Sequence, residues 1–134
     1  MSQNIDTIQA IAGRWNAGDR DAAGVVEYFD PAIELVSPFS SVVGEPYRGH
    51  GGVEQWMRDV DEQFDEWHLR LEDVRQVSDA VIGIGSVNGR GRASGIPFEF
   101  SAAMIAHFAS GRRIARLQIY LDVSEALEAV GLTE

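Results

Sequence analysis

Cysteine is absent from the chain, which removes disulfides and thiol chemistry from consideration. Positive charge is scarce: 11 basic residues face 21 acidic ones, for a formal net charge of -10. That average field repels nucleic acid and anionic membrane, and the short runs at Arg90–Arg92 and Arg112-Arg113 are too small to reverse it locally. No apolar run approaches the length of a membrane span. The opening MSQNIDTIQ lacks the basic stretch followed by an apolar core that marks a signal peptide. The expectation is a cytoplasmic protein with neither nucleic-acid nor membrane partners. Ligand spacing is missing as well. His50, His68 and His107 are scattered, so neither a metal centre nor a cofactor is expected. The glycine-rich stretch 88–95 lies between two strand patterns and opens no helix, which makes it a poor phosphate loop.

What is present fits one domain over residues 1–134, with 45% hydrophobic and 24% charged residues, long enough to bury a core without staples. Ile5, Ile8, Ile11, Ala12 and Trp15 fall on one helical face, and Asn16-Ala17-Gly18 ends that helix. Asp19 can cap a second helix bearing Ala22, Val25, Val26 and Phe29, stopped by Asp30-Pro31. Residues 33–37 read as a short strand, and 39–49 as a loop able to form a pocket rim. A third helix from about Gly51 carries Val53, Trp56, Met57, Val60 and Phe64 on its buried stripe.

Strands dominate the remainder. Trp67, Leu69 and Leu71 alternate with polar residues, and 80–86 (AVIGIGS) forms another strand. Residues 96–122 read as a long hairpin turning at Ser110-Gly111. Phe98, Phe100, Ala102, Met104, Ala106 and Phe108 share one face of its first strand. Ala115, Leu117, Ile119 and Leu121 share a face of the second. The opposite face is also rich in apolar groups, among them Ala103, Ile105 and Tyr120, so both faces need cover and a homodimer through the outer face is expected. Asp122 and Glu125 fit a capping box at the start of a short amphipathic helix. The fold class is α+β: helices interleaved with one short strand, then a run of antiparallel strands.

Three segments in this order resemble the SnoaL-like branch of the nuclear transport factor 2-like superfamily. They are WNAGDRDAAGVVEYFDPAIELVSP at 15–38, YRGHGGVEQWM at 47–57 and GRRIARLQIYLDVSEALEAVGL at 111–132. The resemblance implies a cone-shaped curved sheet wrapped around three N-terminal helices, with a short C-terminal helix and a cavity between sheet and helices. Members include ketosteroid isomerases, polyketide cyclases, epoxide hydrolases and proteins without catalysis, so the fold leaves the activity open. The ligand-binding positions it implies here are Ile11, Trp15, Leu35, Ser37, Tyr47, Trp56, Met57, Phe100, Met104, Leu117 and Ile119, facing a small hydrophobic molecule.

The acids of those enzymes are replaced. The isomerase's general base falls on Ser37, and its oxyanion pair on Ile11 and Ala106. The acid on the last strand of cyclases and epoxide hydrolases falls on Ile119, and the hydrolase's earlier Arg and Asp near Gly85 and Val87. A serine hydroxyl cannot take a proton from carbon without a base of its own. Candidates for catalysis therefore reduce to His50, on the expected rim, and Ser37. Glu34 alternates away from Leu35, and Asp122 is better used as a cap. Two readings stay open: a SnoaL-like isomerase, cyclase or hydrolase, or a non-catalytic ligand-binding or scaffold homodimer.

Overall fold

A computed structural model describes residues 3–16, 28–37, 45–77, 80–109 and 113–131, with side chains for all of these but 3, 14–16 and 66. The elements run α1 (Gln3–Asn16), β1 (Phe29–Val36), β2 (Tyr47–Arg48), α2 (Gly49–Gln63), β3 (Phe64–Val77), β4 (Ala80–Gly91), β5 (Pro97–Phe108), β6 (Ile114–Tyr120) and α3 (Val123–Ala129). The helix expected from Asp19, most of the 39–49 loop, the Ser110-Gly111 turn and the Trp15 side chain lie outside the described residues. The strands form one curled sheet in the order β2-β1-β6-β5-β4-β3, an α+β cone. Every neighbouring pair is antiparallel except β1 and β6, which run parallel because the hairpin chain returns to β1 from across the sheet.

The helices form where apolar residues recur at three and four. On α1, Ile8 and Ala12 are buried while Ile5 and Ile11 are half-buried, and Asp6 lies in the first turn, where a carboxylate suits the helix dipole. On α2 the buried stripe is Val53, Met57 and Val60. These side chains meet Ile33, Leu35, Ile114 and Leu117 from the sheet in the main core. Each aliphatic side chain fully buried there contributes about 1.5–3 kcal/mol.

Three residues change role relative to the sequence pattern, each at an element boundary. Phe29 opens β1 and does not close a helix: it pairs with Ile114, and the Ile114 amide donates to the Tyr28 carbonyl (2.9 Å). The proline that follows is accommodated by an irregularity between Phe29 and Glu34, where Asp30 Oδ1 accepts from the Ala32 amide (2.8 Å). Phe64 is extended and begins β3, its ring lying 4.9 Å from Trp67 and 5.1 Å from Phe98. Ile114, which the strand pattern placed on neither face, joins Leu117 inside because a bulge at Ala115 shifts the register between His107 and Phe108. The glycine-rich turn is also shorter than expected. Residues 88–91 stay in the ladder, Gly89 pairing with Trp67 on one side and Phe98 on the other, so those rings meet over it at 6.0 Å.

The apolar part of the outer sheet face that β4 and β5 present is covered within the chain. Ile82, Ala103 and Ile105 are buried under α3, with Ala126 wholly inside and Val123, Leu127 and Val130 at the margin. Asp122 caps α3 by accepting from the Ser124 amide (2.9 Å), one half of the expected capping box. Ala103 and Ile105 are therefore not the water-exposed apolar surface that motivated a homodimer. Beyond α3 the same face turns polar, Ser86 pairing with Ser101 and Asn88 with Glu99.

Candidate functional site

An apolar cavity of about 80 Å³ lies between the inner sheet face and the helices. Sequence alternation explains its sheet wall. Trp67, Leu69 and Leu71 project from β3, Ala102 and Met104 from β5, Leu117 and Ile119 from β6. Ile11 and Ala12 of α1, Phe29 of β1, and Val53, Trp56 and Met57 of α2 complete it. Of the residues expected to face a ligand, Ile11, Trp56, Met57, Met104, Leu117 and Ile119 line this space.

Two glycines let neighbouring groups approach the inner face of β4 closely. Val81, Gly83, Gly85 and Val87 alternate inward on β4, so two consecutive inward positions carry no side chain. At Gly83 an added Cβ would stand 3.2 Å from Leu71 Cδ2 and 3.3 Å from Met104 Cγ. At Gly85 it would collide with the Arg70 carbonyl, which the bulge between Leu71 and Asp73 pushes toward β4. Only Gly83 of the two lines the space, and the available signal for this wall was the Trp67, Leu69 and Leu71 alternation.

The other expected ligand positions are engaged elsewhere. Leu35 is fully buried in the solid core. Phe100 stacks on Phe98 at 5.5 Å, at the aromatic end of the sheet. Tyr47 donates to Asp59 Oδ2 (2.6 Å), fastening β2 to α2. Ser37 is buried just past the end of β1 and does not line the cavity.

His50 lies half-buried at the start of α2, and its Nε2 donates to the Phe29 carbonyl (2.9 Å). Its ring thus touches the backbone of a cavity residue without lining the cavity. Glu34 faces outward, 3.3 Å from Arg48 and 3.9 Å from Arg116, in exposed pairs worth at most about 1 kcal/mol. His68 and His107 are exposed, as their strand phase indicated. Among the described residues no group of three His, Cys, Asp or Glu side chains could hold a metal, and no helix is long and apolar enough to cross a membrane.

The model of the SnoaL-like domain matches residues 8–117. The chain belongs to the SnoaL-like family. No curated protein matches it in sequence. Its fold is similar to that of an NTF2-like protein of unknown function from Burkholderia pseudomallei, with a TM-score of 0.80 at 19% identity, over 98% of this chain and 99% of that one. TerC, co-crystallised with polyporic acid, is similar with a TM-score of 0.77 at 20% identity over 96% and 98%. A protein of ketosteroid isomerase-like fold from Catenulispora acidiphila, in complex with trimethylamine, gives 0.73 at 19% identity over 94% and 92%.

Proposed function

We propose that this SnoaL-like chain binds and encloses a small hydrophobic molecule in the cavity above the β4 glycines. The carrying observation is the lining: every described side chain that faces the space is apolar. A water molecule needs only about 10–15 Å³ and a cavity that holds benzene about 150 Å³, so about 80 Å³ suits a small guest of at most one ring. An unpaired ion buried there would cost several kcal/mol, which selects against charge inside. That a protein of similar fold was crystallised with polyporic acid supports a small-molecule reading. Trp56 and Trp67 line the space and report on it. Their fluorescence should respond saturably to benzene, and an absent response would refute the binding.

A second reading, catalysis from the rim, rests on His50. With its Nε2 proton held by the Phe29 carbonyl, Nδ1 is the nitrogen able to accept a proton. General-base catalysis typically supplies about 100-fold to 10,000-fold. Among the described residues the lining offers no carboxylate for the isomerase, cyclase or epoxide hydrolase mechanisms. Standard substrates of those classes should therefore turn over poorly, and any turnover should fall in His50→Ala more than in Ser37→Ala. Robust turnover that survives His50→Ala would mean that a carboxylate reaches the cavity.

Assembly is a separate question. A homodimer through the outer face would have to use its polar half or displace α3. Sedimentation at micromolar concentration distinguishes the 14.7 kDa chain from a species of twice that mass.

A further inference from the structure

The cavity wall and the filled core under α3 are built from different side chains. Among the residues whose side chains are described, both tryptophans (Trp56 and Trp67) and both methionines (Met57 and Met104) line the cavity, and Phe29 joins them. These five come from β1, α2, β3 and β5, so polarisable groups stand on the helical wall and on the sheet wall alike. The core under α3 is aliphatic by contrast: Ile82, Ala103, Ile105 and Ala126, with Tyr120 only at its margin. Resting on the ligand-binding reading above, we propose that the cavity selects an aromatic guest over a saturated one of the same size, with the Met57 and Met104 thioethers as selecting groups.

Three observations support the assignment. First, unbranched methionine ordinarily fills an irregular gap in a core, yet here two of them border a gap and leave it open. Second, Met104 lies against the β4 part of the wall. Its Sδ stands 3.6 Å from the point a Gly83 Cβ would occupy, and Gly83 itself lines the space. Glycine at 83 thus leaves room for the thioether at the cavity surface. Third, no charged or hydroxyl group is found among the described lining side chains, so the choice between two apolar rings rests on polarisability and ring electrostatics. Sulfur sits favourably at the edge of an aromatic ring, and rings prefer offset or edge-on neighbours, both beyond what buried area supplies. A saturated ring of equal volume gains the burial and neither contact.

The test compares benzene with cyclopentane, a saturated ring of similar volume, by tryptophan fluorescence. Each Kd is referred to that guest's own partition from water into hexadecane, which removes hydrophobicity and leaves the contacts specific to the cavity. On that scale the wild type should favour benzene by about three- to tenfold. Met57→Leu and Met104→Leu nearly conserve volume and so keep the fold. Each should lower the benzene preference by about twofold or more, with a smaller effect on cyclopentane. Leu117→Met, which adds a sulfur to the wall, should raise the preference. Leu127→Met, on α3 at the other face of the sheet, should not change it. Binding without a corrected benzene preference, or a preference that survives both methionine substitutions combined, would overturn this assignment and leave the cavity reading intact. Failure of both guests to bind would overturn the cavity reading, and this one with it.

Discussion

The two faces of β4 and β5 are both buried, yet one is packed solid and the other is hollow. Five consecutive β5 residues, Ala102 to Ala106, are each at most 9% exposed, so burial alone does not separate the faces. Side-chain volume does. Outward, β4 presents Ala80, Ile82 and Ile84, and α3 lies against them with Ala126 wholly enclosed. Inward, the same strand presents Gly83 and Gly85, which Leu71, Met104 and the Arg70 carbonyl approach closely, and open space remains farther in, among Leu69, Met104, Trp56 and Ile119. The family fold supplies the curled sheet, and the cavity is the part of its inner face that the side chains leave unfilled.

The sharpest way to break this comparison is to remove volume from each face. Ile82→Ala should cost about 3–4 kcal/mol in urea unfolding, because Ile82 is fully buried in the solid outer core. Leu69→Ala, at the half-buried cavity wall, should cost only about 1 kcal/mol, since some of its surface already borders open space. Equal costs would mean that the inner face is as well filled as the outer. Next in size, Gly85→Ala should cost about 2–3 kcal/mol by thermal melting, because its methyl group meets a backbone carbonyl that can shift only with the bulge. Asp122→Ala should cost about 1 kcal/mol by loosening α3, with faster amide exchange in the outer strand segments and little change around the cavity. Smallest in stability is Gly83→Ala, below about 1 kcal/mol because Leu71 and Met104 are flexible, while binding of benzene should weaken measurably.

Much of this was legible in the sequence, and the exceptions share a cause. The 96–122 hairpin and the inward row from Phe98 to Phe108 follow from a two-residue period. The buried faces of α1 and α2 follow from helical spacing. Phe29 and Phe64 also satisfied helical spacing, but both lie where the chain changes element, and backbone pairing with the sheet took precedence. Ile114 was not placed on a face, because a bulge resets strand phase there and an alternation pattern cannot register it. For the candidate site, the residues from α1, α2, β5 and β6 were legible as apolar stripes. Trp67, Leu69 and Leu71 were visible as a strand but not as a wall, because their position beside α1 depends on the curl of the sheet. Cover for the outer face was foreseen from a partner or from more protein, and α3 supplies it over Ile82, Ala103 and Ile105.

The most direct test follows methyl resonances during titration with benzene. Binding as described should produce intermolecular NOEs and shifts at Leu69, Leu71, Met104, Leu117 and Ile119, and leave Ile82, Ile105 and Leu127 unmoved. NOEs to the outer set, or saturable binding that leaves the inner set unchanged, would contradict a ligand cavity on the inner face.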